Sequence, residues 1–182
     1  MRKFCLAVIA AAGLSGCGSV AIEGERYLDV TPEFQIDEFF DGNVHAWGIV
    51  QDRSGNVVQR FQVDIDGSLE GGVLTLDETF SYGMGEGTEH RVWTIQVDGA
   101  EGYTGEAGDI VGTAEGETYG NAFQWTYQMD LPVGDTTYRV GFNDWIWAFD
   151  ESAIMNRSYI RKFGITFAEV TIFMQRQSGS DS

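Results

Sequence analysis

Between Val44 and Met174 apolar residues return at every second position, and glycine-bearing turns interrupt the runs. Val57, Phe61, Val63, Ile65 and Leu69 share one parity, while Arg60, Gln62, Asp64, Asp66 and Ser68 take the other. Successive side chains of an extended strand point to opposite faces, so this pattern is a strand with one dry face and one wet face. Phe123, Trp125, Tyr127, Met129 and Leu131 repeat it against Gln124, Thr126, Gln128 and Asp130. Leu74, Leu76, Phe80 and Tyr82 form a third such face, and Trp93, Ile95 and Val97 a fourth. Turn residues separate the runs at Ser54-Gly55-Asn56, Gly71-Gly72, Asp98-Gly99, Gly108-Asp109, Gly120-Asn121 and Gly134-Asp135. With 24 glycines and 2 prolines, the composition suits tightly turned antiparallel sheet. A meander of so many half-buried strands must hide its two edges, and closure does that. The expected fold is therefore all-β, an antiparallel up-and-down β-barrel of about eight to ten strands. A short helical turn is expected within 33–40, where Phe34, Ile36, Phe39 and Phe40 cluster.

One strand breaks phase. Tyr138, Val140 and Phe142 lie on one parity, and Trp145, Trp147 and Phe149 on the other. A β-bulge near Asn143-Asp144 would restore a single apolar face. The alternative is that both faces are covered there.

The N-terminus follows another logic. Arg2 and Lys3 precede an apolar run of eleven residues, Phe4 to Leu14, much shorter than the roughly 20 residues of a membrane-spanning helix. Leu14-Ser15-Gly16-Cys17 follows and resembles the lipobox of bacterial lipoproteins. That resemblance implies a signal peptide over 1–16, cleavage before Cys17, and lipid on its sulfur. The chain has 2 cysteines, and Cys5 falls in the segment to be removed. A single thiol left in an oxidising compartment is a liability unless it is used, and lipidation uses it. Two or more acyl chains anchor a protein stably. Gly18, where aspartate would imply inner-membrane retention in such lipoproteins, implies an outer-membrane anchor facing the periplasm of a bacterial cell envelope. The organisation expected is a signal peptide over 1–16, a lipidated tether over 17–32, a barrel domain over 33–176 and a polar tail over 177–182.

Beyond residue 17 the chain has eight arginines and Lys162 against 28 acidic residues. So acidic a surface repels nucleic acid, which is excluded as a partner. The scarcity of lysine also suits a saline habitat. No G-x-S-x-G, H-E-x-x-H or paired-cysteine motif occurs, and His45 and His90 stand in separate strands. Asp64-Ile65-Asp66-Gly67 lacks the spacing and terminal glutamate of a calcium loop. The glycines at 102, 105, 108, 112, 116 and 120 lack the lysine of a phosphate loop and read as turns and strand bends. No enzyme, metal site or cofactor is expected. Two groups remain as candidates. Trp47, Phe61, Trp93, Trp125, Tyr127, Phe142 and Trp145, with Trp147, are either core or the wall of an apolar cavity. Arg157, Arg161 and Lys162 follow Asp144 in the preceding strand. They make either an ion pair between strands or a partner for an acidic head group.

Several segments together resemble one family of uncharacterised bacterial lipoproteins, domain of unknown function 3833. They are Ala46 to Gly55, Arg60-Phe61, Arg91-Val92-Trp93, Gly112-Thr113-Ala114, Gly120-Asn121-Ala122, Leu131-Pro132-Val133, Asp144-Trp145, Asn156-Arg157 and Lys162-Phe163-Gly164. The resemblance runs from the lipobox to Phe173 and implies a lipocalin-like barrel, with a weak pointer towards lipid. The expected function is an anchored barrel that binds or carries a fatty acid or other apolar lipid. The alternative is a filled barrel with a structural or docking role.

Overall fold

The computed structural model describes residues 21–84, 87–99, 102–133 and 135–177. The expected signal peptide, Cys17 and most of the polar tail lie outside the described residues.

Ten antiparallel strands close into a barrel in which each pairs with its sequence neighbours and the last returns to the first. They are β1 (Gly42–Asp52), β2 (Val57–Glu70), β3 (Val73–Tyr82), β4 (Thr88–Asp98), β5 (Gly102–Ala107), β6 (Ala114–Tyr119), β7 (Ala122–Val133), β8 (Thr136–Ala148), β9 (Ala153–Lys162) and β10 (Ile165–Arg176). Closure is made by nine register pairs between β1 and β10, from Val44 opposite Arg176 to Asp52 opposite Ala168. The period-2 pattern becomes the inside–outside division. In β2, Phe61, Val63 and Ile65 are buried while Arg60, Gln62 and Asp64 face out. A closed up-and-down barrel of this length leaves no strand edge unpaired.

One end is stoppered. The short helix α1 (Ile36–Phe40) and Phe34 push Phe34, Ile36, Phe39 and Phe40 into the barrel base, where all four are buried. Gly67 of β2 permits this approach, because a Cβ there would lie 1.7 Å from the Phe40 carbonyl oxygen. The helix end is satisfied by Arg176, whose guanidinium donates to the carbonyls of Glu38 at 2.6 Å and Asp41 at 2.9 Å. The Tyr103 hydroxyl, 2.6 Å from Gln35 and 2.8 Å from Asp37, fastens β5 to the same stopper.

The phase break in β8 is not a bulge. Its register with β7 runs unbroken from Ala122 opposite Trp147 to Val133 opposite Thr136. Both faces are covered instead. Phe142, Asp144 and Ile146 point into the barrel, and Trp145 and Trp147 point out. A second apolar cluster forms over them from the stretch expected as a tether. That stretch contains a 3-10 turn, Gly24–Tyr27. Tyr27 lies 6.1 Å from the Trp145 ring and 6.2 Å from that of Trp147, and Ile22 and Tyr119 join them. Burying about 150–250 Å² per large aromatic is ample reason for the N-terminal segment to lie on the wall.

Candidate functional site

Above the stopper the barrel encloses a cavity of about 870 Å³, within the usual range of small-molecule sites, about 300–1,000 Å³. Its floor is Ile36, Phe40, Phe123 and Ile146. Its wall is a belt of rings. Trp93 meets Trp125 edge-on at 5.7 Å and Tyr127 edge-on at 5.5 Å. Tyr127 stacks on Phe142 at 4.8 Å, and on the neighbouring strands β2 and β3 Phe61, Phe80 and Tyr82 make a second group. Two glycines make room for this belt. A Cβ at Gly116 would lie 2.3 Å from the Trp125 ring, and one at Gly105 2.9 Å from it.

Five of the seven expected lining residues therefore face the cavity: Phe61, Trp93, Trp125, Tyr127 and Phe142. Two do not. Trp47 is 43% exposed on the outer wall, edge-on to His45 and stacked on Phe173. The inward set of β1 is the other parity, with Val44 and Ala46 buried. Trp145 is 1% exposed, yet it is buried on the outside, beneath Tyr27 and Tyr119.

The expected pairing of Asp144 with Arg157 is also corrected. Across β8 and β9, Asp144 stands opposite Ser158 and Trp145 opposite Arg157, so Asp144 and Arg157 are on opposite faces of the sheet. Arg157 lies outside, donates to Glu169 on β10, and covers the Tyr159 ring at 5.2 Å. Arg161 flanks the same ring at 5.5 Å, and Lys162 lies 4.1 Å from that of Tyr138. None of the three lines the cavity. His45 and His90 reach outer-face carboxylates, Asp64 at 2.6 Å and Asp77 at 2.5 Å.

The cation inside the barrel is Arg91, which sequence reasoning passed over. Its Nε donates to Glu78 at 2.6 Å, Asp109 lies 3.6 Å away, and its guanidinium rests against Phe80 and Trp93. Burial works against this charge, but the carboxylates of Glu78 and Asp109 hold it protonated and raise its pKa. Burial also lifts the Glu78 carboxyl above its ordinary range, against the pull of Arg91.

Asp144 is the second carboxylate, half-buried in the cavity wall. Burial pushes its pKa up to about 6, although the Ser158 hydroxyl donates to it and Arg91 acts at longer range. The Tyr127 hydroxyl lies 3.4 Å away and stays protonated, because burial and then Asp144 raise its pKa far above the phenol value. Beside Ser158 on the same face of β9 is Asn156, buried in the cavity wall with no donor to its Oδ1. Among the described residues no cluster of His, Cys, Asp and Glu could hold a metal ion.

The model of a family described as "Protein of unknown function (DUF3833)" matches residues 11–176. A comparison with curated proteins finds no match. Among solved structures, the S-type phycobiliprotein lyase CPES from Guillardia theta superimposes with a TM-score of 0.60 at 12% identity, covering 80% of this chain and 92% of that one. At that identity the likeness is one of fold, a lipocalin-like barrel.

Proposed function

The chain belongs to the DUF3833 family, and from that premise we propose that it is a binding protein, an anchored lipocalin-like barrel that holds or carries an apolar, lipid-like molecule. The observation that carries this reading is the cavity of about 870 Å³ beneath a belt of tryptophan, tyrosine and phenylalanine rings. A filled barrel would have closed that volume with side chains, since interiors pack to crystal density. The energetics favour long apolar ligands. Each buried methylene contributes about 0.8 kcal/mol, set against an association cost of about 4–15 kcal/mol. Burial of about 5–19 methylenes offsets that cost, so long chains are favoured over short ones. Lipid on Cys17 would hold the barrel at the outer membrane, within reach of such molecules.

Native mass spectrometry of the protein extracted from its own membranes is the direct test. A co-purifying lipid mass, lost on delipidation, is expected. A fluorescent apolar chain added to the delipidated protein should quench tryptophan emission, and Trp125→Ala should weaken that binding more than Gln124→Ala, whose side chain faces Asn143 outside. A folded protein that retains no lipid and binds no long-chain probe would refute the proposal.

A further inference from the structure

Five carboxylates line the cavity and its mouth, Glu78, Glu89, Asp109, Asp130 and Asp144, against Arg91 and the imidazole of His90. Most have partners. Glu78 and Asp109 flank Arg91, Tyr82 donates to Glu89, Arg139 holds Asp130, and His90 reaches Asp77. Asp144 differs. Among the described residues it makes no ion pair, and its contacts are the hydroxyls of Ser158 and Tyr127. An ionised carboxylate offers about four acceptor positions, so about two are left over in this wall. The neighbouring site is also short of donors. Asn156 is 2% exposed and its Oδ1 accepts no hydrogen bond. The register sets Ile146 opposite Asn156 and Asp144 opposite Ser158, so both acceptors belong to one patch of wall. The Asn156 oxygen is closed off from the lumen, so the acceptor capacity that a ligand can reach is that of the Asp144 carboxylate, for which no described residue supplies a further donor.

We propose that the ligand of this cavity carries a cationic, hydrogen-bond-donating nitrogen that sits against the Asp144 carboxylate, with its apolar part among Trp93, Trp125 and Phe142. This rests on the reading of the barrel as a binding protein and specifies the polar end of its ligand. An ionised carboxylate would meet Asp144 as a like charge, and Arg91 is already engaged by Glu78 and Asp109. An ammonium gains the carboxylate and the adjoining ring faces together.

Full-length purified protein loaded with the neutral dye Nile red provides the test, with hexadecylamine, hexadecanol and hexadecanoate as competitors near pH 8. The amine should displace the dye at about a tenth of the hexadecanoate concentration or less, with the alcohol between them. Asp144→Asn, nearly isosteric, should bring amine and acid within about threefold of each other. Equal displacement by acid and amine in the wild type, or an amine preference that survives Asp144→Asn, overturns the proposal while leaving the binding cavity intact. A folded protein that takes up neither dye nor any competitor overturns the cavity reading itself, and this proposal with it.

Discussion

Asp144→Asn should make the empty barrel more stable at neutral pH, although it removes a hydrogen-bonded carboxylate. The Asp144 pKa is about 6 in the folded protein against an ordinary value of 3.8, and burial is the main cause. A raised folded-state pKa means that the native state binds the proton more tightly than the unfolded chain does. The stabilisation is therefore fully present below about pH 4 and is lost as pH rises through about 6. A difference of roughly two pKa units is worth about 3 kcal/mol. Asparagine carries no charge at any pH and keeps an oxygen to accept from Ser158. Urea unfolding of delipidated wild type and variant, at pH 4 and at pH 7.5, isolates the effect, since the other titrating groups cancel in the difference. The variant should gain about 2–3 kcal/mol at pH 7.5 and close to nothing at pH 4. A variant less stable at pH 7.5, or a difference independent of pH, would show that Asp144 is a compensated carboxylate and remove the argument for a ligand donor.

Three further outcomes are expected. Gly67→Ala forces a Cβ against the Phe40 carbonyl; it should cost about 1–3 kcal/mol in urea unfolding and expose the segment around Phe34 to protease, and an unchanged midpoint would refute the stopper packing. Arg157→Met breaks a half-exposed pair with Glu169 on the outer wall. It should therefore cost no more than about 1 kcal/mol and leave amine, alcohol and acid binding alike, whereas selective loss of acidic ligands would restore it as a head-group residue. Cys17→Ser should abolish palmitate labelling and membrane recovery together, and a labelled, membrane-bound variant would dismiss the lipid anchor.

Alternation within single strands was enough to place Phe61, Trp93, Trp125, Tyr127 and Phe142 on apolar faces, because side-chain parity is a local property of extended backbone. Closure was legible too, since it is the arrangement that leaves a long meander of half-buried strands without edges. The signal for Arg91 and Glu78 was also present. Glu78 falls on the parity of Leu74, Leu76 and Phe80, and Arg91 on that of Trp93 and Ile95. A charge on an apolar stripe marks a buried ionic site, but nothing local says what pairs with it. The β3–β4 register supplies the answer by setting Glu78 opposite Arg91.

Tertiary structure decided the rest. Parity sorts residues into two faces without saying which is inside. Where both faces are apolar, as in β8, the choice depends on what packs over the outer one. Tyr27, remote in sequence, covers Trp145 and Trp147 and so leaves Asp144 to the cavity. Whether the barrel would be filled or hollow was likewise beyond local pattern. Its lumen is set by ten strands closing at a particular register and by how far α1 reaches into one end, and both depend on contacts between distant parts of the chain.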